Sequence, residues 1–286
     1  MLDIADHDSP VARASSELLL RSIRGWLIDL DGVVYRGDQV LPGAVDFVQM
    51  LRERQIPFRY LTNNSSRTQA QYAERLCAMG IPADPDDFYT SALATAEHLG
   101  RQAPPGTRVL MIGKDGLREA LLARGFELVH APADAEYCVV GFTDTLTYDM
   151  LKRASLAIRA GAPFIATNPD PTLPVEEGLA PGIGAILAAI NVASDVKPIV
   201  IGKPNRIIID LALDRLGLSA GECAMVGDRL DTDILGGQGA GIPTVLVLSG
   251  SSTVDDLATS DIHPDLIVQD LPALVDLCKS TTGSDR

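Results

Sequence analysis

From Gly25 onward the chain alternates short apolar runs with longer amphipathic stretches. Trp26-Leu27-Ile28, Phe58-Arg59-Tyr60-Leu61, Val109-Leu110-Met111-Ile112, Cys138-Val139-Val140, Phe164-Ile165-Ala166, Ile199-Val200-Ile201, Ala224-Met225-Val226 and Val245-Leu246-Val247-Leu248 read as strands. Helical spacing covers 45–54, 67–79, 207–216 and 231–240. Strands alternating with helices predict βαβ units, an α/β chain and a mostly parallel sheet. Residues 1–23 lack a clear period and read as a tail with room for one short helix. Gln102-Ala103-Pro104-Pro105-Gly106 marks a boundary, and Ser194 to Pro198 marks a return, so a second domain is expected between them.

Length and composition narrow the classes. At 286 residues the chain suits one large domain or two modest ones. With 46% apolar and 22% charged residues it can build a core without disulfide or metal staples. A net charge of −14 argues against a nucleic-acid partner, which calls for a basic face. It leaves room for a small anionic substrate, because local cations outweigh a distant charge that salt screens. Cys77, Cys138, Cys223 and Cys278 stand singly with no CxxC pair, so they read as buried free thiols of a reducing compartment. The apolar run Leu18-Leu19-Leu20, flanked by Glu17 and Arg21, is too short for a signal core or a membrane span. A cytoplasmic protein without a membrane partner is expected.

Four polar segments follow predicted strands, where ligands bind in parallel sheets. The first is Asp29-Leu30-Asp31-Gly32; alone it equally suits an Asp-Gly turn, and its glycine is too early for an EF-hand loop. The second is Thr62-Asn63-Asn64-Ser65-Ser66, which offers hydroxyls and backbone N–H groups at an expected helix start, though simple capping chemistry looks the same. The third, Gly202-Lys203-Pro204, lacks the upstream glycine of a P-loop, and one lysine there is ordinarily a surface charge. The fourth, Gly227-Asp228-Arg229-Leu230-Asp231-Thr232-Asp233, adds carboxylates, some of which suit a helix cap. Gly236 to Gly241 fails as a dinucleotide site because Ile242 stands where glycine is required. Together the four are more specific than any alone. Carboxylates converging on one edge repel one another, so they call for a divalent cation and a fixed positive charge. Mg²⁺ held by carboxylates and phosphate oxygens meets the first need, and Lys203 the second; Thr62 is a neutral phosphate donor.

In this order the segments resemble the four motifs of the haloacid dehalogenase (HAD) superfamily: Asp29-Leu30-Asp31-Gly32-Val33, Thr62, Lys203, and Gly227-Asp228 through Asp233. Gly32-Val33-Val34-Tyr35, Thr62-Asn63-Asn64, Ala166-Thr167-Asn168-Pro169-Asp170 and Pro181-Gly182-Ile183-Gly184-Ala185 are similar to its NagD-like, 4-nitrophenylphosphatase-like branch. The resemblance runs over residues 25 to 280. It implies a doubly wound, Rossmann-like parallel core with an inserted smaller α/β cap domain. Thr62 follows Asp31 by 31 residues, which leaves room only for a hairpin flap at 33–41; Lys203 follows Thr62 by 141, which leaves about 95 for a cap. The expected division is a tail at 1–23, a core at 24–103 and 198–286, and a cap at 104–197.

The resemblance further implies a Mg²⁺-dependent phosphatase working through an aspartyl-phosphate. Asp29 is the expected nucleophile and Asp31 the acid and base. Mg²⁺ is expected on Asp29, Asp228 and the Asp31 backbone carbonyl, with Asp233 as a supporting acid. Thr62, the Asn63 backbone and Lys203 are expected to hold the phosphoryl group. Asp31 favours phosphoryl transfer over carbon–halogen cleavage, and neither Lys114 nor Lys152 has the context of an imine-forming phosphonatase lysine. Small phosphorylated metabolites are the expected substrates: sugar, polyol, glycolate, pyridoxal or nucleoside monophosphates, with 4-nitrophenyl phosphate as test ester. A phosphoprotein phosphatase and a phosphometabolite-binding regulator without turnover are the alternatives. Caps of this branch commonly pair into homodimers.

Overall fold

The computed structural model describes residues 10–175 and 177–282, so positions 1–9 of the tail expected at 1–23 lie outside the described residues. The chain runs α1 (Pro10–Ser22), β1 (Gly25–Ile28), β2 (Tyr35–Arg36), β3 (Gln39–Val40), α2 (Ala44–Glu53), β4 (Phe58–Thr62), α3 (Gln69–Ala78), β5 (Phe88–Thr90), α4 (Ser91–Gly100), β6 (Arg108–Ile112), α5 (Asp115–Ala123), β7 (Glu127–Val129) and β8 (Tyr137–Val140). It continues through α6 (Tyr148–Arg159), β9 (Phe164–Ala166), β10 (Thr172–Val175), β11 (Gly178–Pro181), α7 (Ile183–Ser194), β12 (Ile199–Val200), α8 (Arg206–Leu216), β13 (Cys223–Gly227), α9 (Leu235–Ala240), β14 (Thr244–Val247), α10 (Val254–Thr259), β15 (Leu266–Val268) and α11 (Leu271–Thr282). By backbone contact it divides into two units, Met1–Leu61 with Ala73–Asp87 and Ile209–Arg286, and Thr62–Tyr72 with Phe88–Ile208.

In the first unit the strands lie in the parallel order β15-β14-β13-β1-β4. β1 and β13 are buried at every position, as expected of central strands covered on both faces. Their register pairs Ile28 with Val226, so the residues after each strand emerge at one edge. Trp26 meets Phe47 of α2 edge to face, with ring centroids 5.3 Å apart. The segment read as a tail carries α1, which packs on α11. β2 and β3 form the expected hairpin, antiparallel with Tyr35 opposite Val40.

In the second unit the parallel order is β12-β9-β8-β6-β7. Its core joins Ile112, Val140, Ala157, Ile158, Phe164 and Ile190, which come from the sheet and from α6 and α7. The antiparallel hairpin β10-β11 stands apart from this sheet. Residues 104–197 lie wholly within this unit. Among the described residues no helix is long and apolar enough to cross a membrane. Cys138, Cys223 and Cys278 are buried; Cys77, expected inside, is exposed because it sits on the outer face of α3.

Candidate active site

Asp29 directly follows β1, and Asp228 directly follows β13. The Asp29 N–H donates to the Val226 carbonyl at 2.9 Å and carries the ladder past the strand end. A five-residue π-type turn at Leu230–Ile234 then brings Asp233 back toward Gly227, and its Oδ2 accepts the Arg229 N–H at 3.2 Å. The sequence predicts regular helix from 231; the wider turn is the difference, and such turns recur at functional sites. Asp29, Asp228 and Asp233 each offer one carboxylate oxygen, all within 4.8 Å of one another. Asp228 and Asp233 are each only 1% exposed, and Asp29 is half-buried. Three ionised oxygens so close in a desolvated setting repel unless a cation joins them, and an all-oxygen set suits a hard divalent ion. Among the described residues this donor chemistry fits the Mg²⁺ that the sequence implies.

The Asp228 carboxylate is gripped closely. Its Oδ2 accepts the Ser251 N–H at 2.7 Å, and its backbone oxygen accepts the Ser252 N–H at 3.0 Å. A Cβ added to Gly32 or to Gly250 would overlap this carboxylate. Gly32 also holds φ +90°, a left-handed conformation that side chains resist. The loop 249–252 escaped sequence reasoning; its signal was a Gly-Ser run placed, like the other four segments, directly after an apolar strand.

Asp31 lies in the turn between β1 and the hairpin, exposed, and outside the three-carboxylate group. The Tyr35 hydroxyl donates to its Oδ2 at 3.4 Å, and the Gly32 N–H donates to the Tyr35 carbonyl at 2.8 Å. Arg75 stacks over the Tyr35 ring at 4.8 Å and bonds the hairpin at the Gly37 carbonyl.

In the second unit Thr62 ends β4 and is 4% exposed. Its Oγ1 accepts the Asn64 N–H at 3.1 Å, and Asn64 Oδ1 accepts the Ser66 N–H at 2.9 Å. These side-chain turns replace the helix start expected there. α3 begins later, where Thr68 and Gln71 exchange side-chain-to-backbone bonds in a capping box. Asn63 and Lys203 are brought together. Asn63 Oδ1 accepts the Lys203 N–H at 2.8 Å, and its Nδ2 donates to the Lys203 carbonyl at 2.9 Å. Lys203 is 2% exposed, which removes the surface-charge reading. Asn168 and Asp170 join the same cluster: Asn168 Nδ2 donates to the Asn63 carbonyl at 2.6 Å, and Asn63 Nδ2 reaches Asp170 Oδ2 at 3.2 Å. Lys114 and Lys152 stand in exposed ion pairs with Asp144 and Asp149.

The chain is similar to known proteins over most of its length. Residues 26–127 match the haloacid dehalogenase-like hydrolase family, and residues 200–274 match a HAD-hydrolase-like family. It is 43% identical over 252 residues to an acid sugar phosphatase of Staphylococcus epidermidis, covering 88% of this chain and 96% of the relative. The 4-nitrophenylphosphatase of Thermotoga maritima superposes with a TM-score of 0.85 at 37% identity, over 90% of this chain and 98% of that one. A glycerol phosphate phosphatase of Mycobacterium tuberculosis, solved in complex with magnesium, superposes with a TM-score of 0.83 at 39% identity, over 90% of this chain and 77% of that one. With these likenesses added to the strand-end carboxylates, the chain belongs to the haloacid dehalogenase-like hydrolases, as a phosphatase of the NagD-like, 4-nitrophenylphosphatase-like branch.

Proposed function

We propose that the protein is a Mg²⁺-dependent phosphatase of small phosphate monoesters, working through a phosphorylated Asp29. The observation that carries this reading is the group of three carboxylates within 4.8 Å of one another: Asp29 and Asp228 at the ends of adjacent parallel strands, and Asp233 from the π-type turn that follows.

Phosphate monoesters hydrolyse extremely slowly because their anionic oxygens repel a nucleophile. The Asp29 carboxylate attacks phosphorus in line, and the bond from phosphorus to the ester oxygen breaks. Asp31 gives its proton to the departing alkoxide. Asp31 then takes a proton from the water that attacks the aspartyl-phosphate, and inorganic phosphate leaves with Asp29 restored. Lys203 offsets charge on the phosphoryl oxygens, while the Thr62 hydroxyl and the Asn63 N–H orient them. Asp29, Asp228 and the Asp31 carbonyl would hold Mg²⁺, with Asp233 in support; when bound, the ion offsets the charge shared by carboxylates and phosphate. Asp31 is exposed, so water can reach it. We further propose that residues 104–197 serve as the cap and that a leaving group of sugar or polyol size is enclosed there. The relative that is an acid sugar phosphatase and the neighbour that is a glycerol phosphate phosphatase support this substrate class.

The test is hydrolysis of 4-nitrophenyl phosphate and of a panel of sugar and polyol phosphates, with Mg²⁺ and with chelator. Turnover is expected only with the metal, and it is expected to vanish in Asp29→Asn. Wild-type activity equal to that of Asp29→Asn under all conditions would overturn the reading.

A further inference from the structure

Asn63 does more than supply a backbone N–H. Its side-chain amide pairs with the Lys203 peptide in both directions, accepting the N–H through Oδ1 at 2.8 Å and donating from Nδ2 to the carbonyl at 2.9 Å. The amide acts here as a one-residue strand neighbour. Only one orientation satisfies it, because a flipped amide would set oxygen against oxygen and N–H against N–H. The orientation is locked further by Asp170, whose two carboxylate oxygens lie 3.3 and 3.2 Å from Nδ2. The Asn63 backbone is pinned in turn, since its carbonyl accepts from the Ser91 hydroxyl and from Asn168 Nδ2. Asn63 is 9% exposed, and Ser91 and Asn168 are at most 4% exposed, so these bonds are sheltered from competing water. The approach is close: a Cβ at Gly202 would stand 2.5 Å from Asn63 Oδ1 and 2.6 Å from the Thr167 carbonyl.

We propose that the Asn63 side chain is the positioning residue of Lys203, fixing the direction in which the lysine leaves the backbone. This rests on the proposed role of Lys203 in holding the phosphoryl group. β12 ends at Val200, and the ladder to β9 continues only through the Ile201 and Gly202 N–H groups. At Lys203 the strand partner is gone and Asn63 takes its place. Aspartate would not serve, because it has no donor for the Lys203 carbonyl and would set a second carboxylate against Asp170.

A double-mutant cycle tests the assignment. kcat and KM for 4-nitrophenyl phosphate, and the affinity for inorganic phosphate by calorimetry, are measured for wild type, Asn63→Ala, Lys203→Ala and the double variant. Folding is checked by circular dichroism. Asn63→Asp, nearly isosteric, keeps the acceptor for the Lys203 N–H and removes the donor to its carbonyl. In the wild-type background Asn63→Ala is expected to lower kcat/KM on the order of 100-fold, the scale of a misplaced catalytic group. Asn63→Asp should lower it about tenfold. In the Lys203→Ala background the Asn63 change should cost almost nothing, and phosphate affinity should follow the same pattern. Losses that multiply across the two sites would overturn the assignment, as would a folded Asn63→Asp with wild-type kcat/KM. If Lys203→Ala itself keeps wild-type kcat/KM, the role given to Lys203 fails first and this inference falls with it.

Discussion

The Asp29 N–H bonds to the Val226 carbonyl at 2.9 Å, one residue beyond the last strand pair, Ile28 with Val226. That bond keeps Asp29 in strand-like alignment beside β13, which ends at Gly227, directly before Asp228. Two carboxylates from segments some 200 residues apart in sequence thereby share one sheet edge. The cost is electrostatic, and a divalent ion bound between them would offset it.

Replacing Gly250 by alanine puts a Cβ against the Asp228 carboxylate. The loop must shift, and the Ser251 N–H bond to Oδ2 shifts with it. The Mg²⁺ concentration for half-maximal hydrolysis is expected to rise on the order of tenfold, as for other residues that orient metal ligands. Mg²⁺ titration by calorimetry reads the same change without turnover. Unchanged Mg²⁺ affinity would show that the loop does not hold Asp228.

Arg36, on the β2-β3 hairpin, donates through Nη2 to the Ser249 carbonyl at 2.5 Å and to the Gly250 carbonyl at 3.3 Å. It ties the flap to the loop that grips Asp228. Because Arg36 is exposed, Arg36→Ala should cost at most about 1 kcal/mol of stability. Half-saturation by Mg²⁺ should nevertheless rise roughly two- to fivefold. Urea denaturation and Mg²⁺ titration separate the two effects.

In the second unit Glu97 accepts from the Tyr89 hydroxyl at 3.3 Å, from Arg101 at 3.1 Å and from Arg124 at 3.1 Å, joining α4 to α5. Its side chain is 10% exposed and those of the arginines 51% and 42%, so water already screens the cations. Glu97→Ala is therefore expected to cost about 1–2 kcal/mol, less than a fully buried pair would. The urea midpoint checks this, and high salt should narrow the difference between variant and wild type.

The thiols set an alkaline limit. Burial pushes Cys138 and Cys223 up to about 12 and Cys278 up to about 11, from an ordinary value near 9. The folded chain thus binds these protons more tightly than the unfolded chain. Their contribution is fully present below pH 9 and is lost as pH rises through 11 to 12. Buried Tyr60, also raised, acts in the same direction. Urea midpoints are expected to fall between pH 8 and pH 10, by less in Cys278→Ala. At neutral pH a thiol reagent should modify exposed Cys77 at once and the other three only in denaturant.

Much of the fold and of the candidate metal site is legible in the amino-acid sequence. β1 and β13 stand out as unbroken apolar runs ending in glycine or aspartate, because central parallel strands are buried on both faces. Those same ends carry Asp29 and Asp228, so the candidate metal-ligating carboxylates are read together with the strands. The β10-β11 hairpin is not legible: it is a largely exposed ribbon with prolines at 174 and 181, and its hydrophobic alternation is broken. The π-type turn at 230–234 is hidden for another reason. Its residues keep helical spacing, and only Asp233 turning back on Gly227 distinguishes it. The partnership of Asn63 with Lys203, at positions 140 apart, depends on how β4 and β12 end, which local pattern does not encode.

Trapping the phosphorylated enzyme tests the covalent step at Asp29 most directly. Wild-type enzyme turning over 4-nitrophenyl phosphate with Mg²⁺ is quenched rapidly, reduced with borohydride and digested, and the peptide containing position 29 is sequenced by mass spectrometry. An aspartyl-phosphate there is reduced to homoserine, and homoserine at position 29, absent without substrate, is the expected result. Homoserine at another carboxylate, or an Asp29→Asn variant that hydrolyses the ester at the wild-type rate, would contradict it.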